Sequence, residues 1–142
     1  MITTKRFNFS DKENMQIAHR IRHKVFVIGQ NCPAELEWEF EEESTHFLVL
    51  KDDNAIATAR YRKTSNGYKL ERFAVLDKYQ GRGYGHIILN RILDDLINTK
   101  EKIYLHAQSQ VISFYEKMGF SKYGDEFVEA GIKHYKMYLK SN

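Results

Sequence analysis

Apolar residues follow a helical spacing in three stretches of the chain. Residues 11–28 carry apolar side chains three and four positions apart, which predicts a helix capped by Ser10 or Asp11. Residues 86–97 show the same spacing with isoleucines and leucines. A shorter helix is predicted over residues 111–118, because the glycine that follows them suits a left-handed terminating residue.

Between these helices, runs rich in apolar, aromatic and β-branched residues predict strands. Turn-forming residues separate several of them and favour hairpins. Strands that neighbour helices, with hairpins at one end, predict an α+β fold in which helices flank a mixed sheet. With no Gly/Ser-rich linker in 142 residues, we expect one domain over residues 1–142. The predicted strands are residues 2–9, 45–51, 56–62, 68–76, 103–107, 120–127 and 134–139.

Composition narrows the class of protein. The net charge of +3 comes from 22 basic and 19 acidic residues, too balanced for a nucleic-acid-binding face. Cys32 is the single cysteine, so no internal disulfide can form and a reducing cytoplasm is expected. The N-terminus lacks the apolar region of a signal peptide, and no run reaches the ~20 apolar residues that span a bilayer.

Two polar features are predicted to carry no chemistry. The run Glu41–Glu43 is interpreted as a solvated turn, because a metal site needs ligands spread over a fold. Cys32 lies in no nucleophile signature. We therefore expect neither a metal nor a covalent cysteine intermediate.

The stretch between the fourth strand and the second helix contains Gly81, Gly83 and Gly85. A strand, a glycine-rich turn and a helix N-terminus present several backbone N–H groups together, which suits phosphate oxygens. The alternative is an ordinary tight turn. A dinucleotide site is disfavoured, because the spacing is not G-x-G-x-x-G and no acid ends the strand after Leu105. A triphosphatase loop would need G-K-[ST], which is absent.

Two motifs resemble those of the GNAT N-acetyltransferases. Q80-G-R-G-Y-G85 is similar to the family's [QR]-x-x-G-x-[GA] pyrophosphate loop, and F114-Y-E-K-M-G-F120 is similar to its F-Y-E-K-x-G-F segment. The stretch R22-H-K-V-F-V-I-G-Q-N-C-P33 resembles the opening of a bacterial subgroup called ElaA-like or YjcF-like. G131-I-K-H134 resembles the start of the closing strand of glyphosate acetyltransferases.

The resemblance implies the GNAT fold, a mostly antiparallel mixed sheet in which two parallel strands splay apart. It also implies acetyl-CoA as cosubstrate. Main-chain N–H groups of Phe73, Ala74 and Val75 would bind the pantetheine arm and the thioester oxygen, and preorganised donors of this kind are usually the largest catalytic term. The remaining implied cofactor-binding residues are Gln80, Gly81, Arg82, Gly83, Tyr84, Gly85 and Gln108.

The resemblance also implies catalytic roles. Tyr115 would donate a proton to the departing thiolate, although its position equally suits packing. His134 would take the proton of the amine, since a neutral imidazole accepts protons near pH 7. Glu71 is the rival base. Arg22 and Arg72 match arginines of the acceptor pocket, and two guanidinium groups would favour an acceptor carrying carboxylate or phosphate.

The resemblance thus implies direct acetyl transfer to the primary amine of a small metabolite, and turnover should slow when Tyr115 or His134 is changed. Acceptors in peptides or proteins stay open, as does a module that binds acetyl-CoA without turnover. Neither nucleic acid nor membrane is an expected partner, and a homodimer is an open alternative.

Overall fold

The computed structural model of the chain describes residues 1–28 and 39–140. Within these ranges it contains seven strands and three α-helices, which confirms the predicted order of elements. Cys32 lies outside the described residues, as does the part of the match between Arg22 and Pro33 that follows residue 28. The helices are α1 (Lys12–Arg22), α2 (Tyr84–Asp95) and α3 (Ile112–Lys117). The strands are β1 (Ile2–Asn8), β2 (Ser44–Lys51), β3 (Asn54–Thr64), β4 (Gly67–Val75), β5 (Ile103–Gln108), β6 (Phe120–Glu129) and β7 (Ile132–Leu139).

Helix ends follow local chemistry. Asp11 caps α1, because its Oδ1 accepts a hydrogen bond from the Asn14 N–H at 3.1 Å. The predicted single helix over residues 11–28 is in fact α1 followed by a π-helical turn over His23–Ile28. After α3, Gly119 adopts φ +97°, the left-handed conformation that was predicted to end this helix.

The seven strands form one sheet in the order β1-β2-β3-β4-β5-β7-β6. All neighbours are antiparallel except β4 and β5, which confirms the predicted mixed sheet with two parallel strands. These two strands pair over three residues only, ending at Leu70 opposite Leu105. Beyond that pair the strands separate, and we call the opening between them the fork.

Helices cover the two faces of the sheet unequally. The main apolar core lies on one face, where α2 and α3 pack through residues such as Ile88 and Tyr115. On the other face, α1 packs with apolar residues of β1 to β4, including Leu48 and Ala74. The part of that second face formed by β5, β7 and β6 carries polar and aromatic side chains. Within the described residues, no helix has the length and apolar character needed to cross a bilayer.

Candidate active site

Beyond Leu70 the main chain of β4 faces the fork, and among the described residues it no longer pairs with β5 there. Leu76 donates its N–H to the Ile56 carbonyl of β3 at 3.0 Å. Because successive N–H groups of a strand point to opposite sides, the N–H of Ala74 also faces β3, whereas those of Phe73 and Val75 face the fork. The Val75 carbonyl accepts a hydrogen bond from the Gln80 side-chain amide at 2.9 Å. Of the three amides predicted to meet the thioester arm, this register favours Phe73 and Val75.

A β-bulge at Arg72 accompanies the separation of the strands. Thr58 pairs with Ala74 and Arg60 pairs with Glu71, so two β4 residues oppose one β3 residue. Arg72 has φ +60°, a conformation that a non-glycine residue adopts only when its surroundings enforce it. A bulge increases local twist, which turns the last residues of β4 away from β5.

The glycine-rich loop joins the fork to α2. Gly81 and Gly83 have φ of +76° and +90°, and Gly83 is the N-cap residue of α2. A Cβ atom built on either glycine would have no protein atom within 4 Å, so the backbone conformation explains their identity and leaves space beside them. Gly85 has an ordinary φ, and its Cβ would lie 3.6 Å from the Phe114 ring. Arg82 is exposed in the loop, and Tyr84 is buried at the start of α2.

Tyr115 lies on the α2/α3 side of the fork. Its ring contacts Phe73, Phe114 and Phe120 edge-on, with centroids 5.0–6.0 Å apart. Burial raises the pKa of the Tyr115 hydroxyl above its usual range, so this group stays protonated at neutral pH. Among the described residues it has no hydrogen-bond partner. A protonated hydroxyl beside the fork can donate to a group that enters there.

His134 lies at the open end of the fork, on the opposite face. It pairs with Gln108 across β7 and β5. Its Nδ1 is 2.7 Å from the Ile132 carbonyl oxygen, an acceptor, so Nδ1 carries the hydrogen and the neutral ring keeps its lone pair on Nε2. The Phe127 ring stacks on the imidazole at 5.8 Å. His134 therefore has the tautomer required of a proton acceptor.

Glu71, the rival base, is buried among cations. Its carboxylate accepts hydrogen bonds from Arg60 Nε at 3.0 Å and Arg62 Nε at 2.9 Å, and Lys69 Nζ is 3.5 Å away. Burial alone would raise its pKa, but the charges of Arg60, Lys69 and Arg72 lower the pKa of Glu71 to about 2. A carboxylate so stabilised in its ionised form is a poor proton acceptor near pH 7.

Arg22 and Glu41 extend this ion-pair network beneath α1. Glu41 is only 7% exposed, so the predicted solvated turn is wrong at this position. It forms ion pairs with Arg22 and with Arg60, whose Nη1 is 2.9 Å from Glu41 Oε1. Burial opposes ionisation, but hydrogen bonds from His19 and Arg22 and the charge of Arg60 lower the pKa of Glu41 to about 2. Arg22, predicted to meet the acceptor, is 1% exposed.

Sequence reasoning missed a second histidine near His134. His106 Nδ1 is 2.9 Å from Glu129 Oε2, and its ring contacts Phe127 edge-on at 5.0 Å. This hydrogen bond is the main reason that the pKa of Glu129 is lowered to about 2. Alternation along I103-Y-L-H-A-Q108 places His106 on the face of Gln108, but nothing in the sequence connects it to Glu129, 23 residues away. The described residues include no group of three or more His, Cys, Asp or Glu side chains suited to a metal ion.

Comparison with known proteins agrees with this geometry. A family model for the acetyltransferase (GNAT) domain matches residues 8–141. The uncharacterized N-acetyltransferase YjcF of Bacillus subtilis (strain 168) is 35% identical over 130 residues, covering 89% of this chain and 93% of that protein. The crystal structure of Escherichia coli ElaA superposes with a TM-score of 0.88 at 24% identity, covering 99% and 100% of the two chains. An aminoglycoside 6'-N-acetyltransferase complexed with coenzyme A superposes with a TM-score of 0.76 at 13% identity, covering 96% and 95%.

These similarities confirm the predicted fold and the predicted relation to YjcF and ElaA-like proteins. Both solved structures share the overall fold of this chain. The chain is therefore a member of the GNAT acetyltransferase family.

Proposed function

We propose that this acetyltransferase moves the acetyl group of acetyl-CoA directly to the primary amine of a small metabolite. The family uses acyl-CoA. The observation that carries the finer proposal is the fork. There the unpaired amides of Phe73 and Val75 lie between a protonated phenol on one face of the sheet and an imidazole lone pair on the other.

The residues of the loop fit the diphosphate of such a cosubstrate. The first N–H groups of α2 have no partner within the helix, and the helix dipole adds positive potential at the same place. The left-handed glycines Gly81 and Gly83 leave space beside the main chain. Gln80 fixes the loop to the end of β4 through Val75, and exposed Arg82 adds a positive charge. The Gln108 amide extends the polar lining at the end of β5.

During acyl transfer at the fork, the group that accepts a proton and the group that stabilises the leaving thiolate lie on opposite faces of the sheet. The amide N–H groups of Phe73 and Val75 stabilise negative charge that develops on the thioester oxygen. His134 Nε2 takes a proton from the attacking nitrogen on the open face. Tyr115 donates a hydrogen bond to the departing thiolate on the α3 side. Holding amine and thioester together on one protein supplies much of the acceleration, so no covalent enzyme intermediate is required.

A group of cationic side chains near the fork supports an anionic acceptor, as the resemblance implies for Arg22 and Arg72. Within the described residues, two buried carboxylates, Glu41 and Glu71, are grouped with five cationic side chains. Two of these, Arg22 and Arg60, are almost wholly buried, so their charge acts on the acceptor through its potential rather than by contact. An amino acid acceptor should therefore outperform the corresponding amino acid amide. The five cations are Arg22, Arg60, Arg62, Lys69 and Arg72.

Two measurements test the proposal. Calorimetry with coenzyme A should show binding, and a thiol-release screen with acetyl-CoA over amines, amino acids, aminosugars and peptides should find a small amine that is turned over. Preference for peptides would replace the small-molecule acceptor. Binding of coenzyme A without turnover of any acceptor would instead favour a sensor.

The loop has its own test in Gly83→Ala. A Cβ at Gly83 strains a left-handed residue and occupies the space beside the loop, so we expect the affinity for coenzyme A to fall by about tenfold or more, since 1.4 kcal/mol is tenfold. Gly124→Ala is the matched control, because Gly124 also has positive φ (+79°) and open surroundings but lies on β6. Equal affinities for the two variants would disprove phosphate binding by this loop.

A further inference from the structure

Acetylation of an alkyl amine must remove two protons from nitrogen. With a pKa near 10.4, as for lysine, about one molecule in 2,500 is neutral at pH 7. The bound ammonium must first lose a proton to expose its lone pair. The nitrogen then loses a second proton as its bond to the carbonyl carbon forms and the C–S bond breaks. His134 can hold only one proton, so the other needs a route of its own.

His106 lies where such a route begins. Leu105 is the last β5 residue that pairs with β4, so His106 is the first residue of β5 beyond the closed end of the fork. Its side chain points to the face that carries His134, because Leu105 and Ala107 point into the core on the other face. The side chain is 21% exposed, so it is shielded but reachable.

Glu129 fixes the tautomer of His106 that can accept a proton. The carboxylate is 2.9 Å from Nδ1, so Nδ1 donates its hydrogen and Nε2 holds the lone pair of the neutral ring. The same carboxylate stabilises the imidazolium once Nε2 is protonated. Glu129 is 41% exposed, so a proton on His106 lies next to solvent.

Phe127 connects the two histidines. Its ring contacts His106 at 5.0 Å and stacks on His134 at 5.8 Å, so both imidazoles border one aromatic surface. Charged and titratable groups on four strands surround His106, and the charged ones include both signs. They are Glu129 on β6, Lys69 with its partner Glu71 on β4, Lys136 and His134 on β7, and the phenol of Tyr104 on β5 itself.

We propose that His106, oriented by Glu129, takes the first proton from the incoming ammonium and passes it to solvent, while His134 takes the second during attack. The N–H bond of the ammonium breaks, its electron pair stays on nitrogen as the nucleophile, and the proton forms a bond to His106 Nε2. Water or buffer then removes this proton, which restores the neutral ring. This inference rests on the proposed function, because it assigns one step of that reaction.

The test compares His106→Gln with wild type over pH 6.5 to 9.5, using the alkyl primary amine that releases thiol fastest in the screen. At pH 7 we expect kcat/KM for the amine to fall by about tenfold or more. The loss should shrink to within about twofold at pH 9.5, because there the amine is increasingly neutral before it binds. His134→Gln should stay slow at every pH. Glu129→Gln should follow the His106→Gln pattern with a smaller loss.

Controls separate this role from a structural one. His23→Gln removes an exposed histidine at the end of α1, and Glu126→Gln removes an exposed glutamate on the same strand as Glu129. Both should keep wild-type rates. A His106→Gln defect that is constant with pH, or no defect, would overturn the proposal. Wild-type protein that turns over no amine would instead overturn the proposed function itself.

Discussion

Two carboxylates on one face of the sheet have the same low pKa in different surroundings. Glu71 lies in the half covered by α1, where three cationic side chains contact a carboxylate that is almost fully buried. Glu129 lies in the uncovered half, and its contact is a histidine. Both pKa values are lowered to about 2. The first carboxylate balances buried charge, whereas the second orients a titratable ring, so a low pKa alone does not identify a functional acid.

Removing the charge of Glu71 should have the largest effect on stability. Glu71→Gln leaves buried Arg60 with one carboxylate fewer, and breaking a buried ion pair from one side costs about 3–5 kcal/mol. Urea unfolding measures this change in the free energy of unfolding. Glu101→Gln is the control, because Glu101 is exposed and its 3.7 Å pair with Lys63 should contribute under about 1 kcal/mol. A Glu71→Gln variant as stable as that control would make Glu71 available as a base.

Low pH should reduce the free energy of unfolding, because it protonates the carboxylates in the half of the sheet covered by α1. The folded-state pKa values of Glu41 and Glu71 lie below the ordinary value of 4.5, so their contribution is complete above the unfolded pKa and is lost as pH falls toward about 2. A shift of that size corresponds to roughly 3 kcal/mol for each carboxylate. Urea unfolding should show a plateau above about pH 5 and a decline below it. Glu71→Gln should decline less steeply, and an identical slope would contradict the assignment.

Local sequence patterns predicted the helices and strands. They did not predict the ion pairs of Glu41 and Glu71 or the contact between Glu129 and His106. The spacing of apolar residues in α2 and the turn before β4 are local, so the chain order of helices and strands could be predicted. Glu41 was placed in solvent because its neighbours are acidic, while its partners lie 19 residues away on each side, at positions 22 and 60. The bulge at Arg72 has no glycine to mark it in the sequence, although its φ is positive. The cofactor loop was predicted through family resemblance, because glycine spacing alone also fits a tight turn.

In the half of the sheet face that α1 does not cover, mutations should change the catalytic rate more than the free energy of unfolding. His134→Gln should lower kcat at pH 7 by about 100-fold, because a positioned base contributes about 10²–10⁴-fold. Lys133→Gln is the neighbouring control, an exposed side chain on the same strand. A His134→Gln rate equal to that of the Lys133→Gln control would transfer the role of base to another group.

Tyr115→Phe should have the smallest effect, a decrease in kcat of about tenfold with unchanged affinity for coenzyme A. The phenol has a raised pKa, whereas an ordinary thiol has a pKa near 8.5, so complete proton transfer from Tyr115 to the thiolate is uphill and the hydroxyl stabilises it mainly by a hydrogen bond. Removal of one hydrogen bond to a charged group costs about 1.5–3 kcal/mol. Single-turnover kinetics and calorimetry measure the two quantities, with exposed Tyr123→Phe as the control. A rate equal to wild type would leave Tyr115 a packing residue, because phenylalanine keeps its contacts with Phe73 and Phe120.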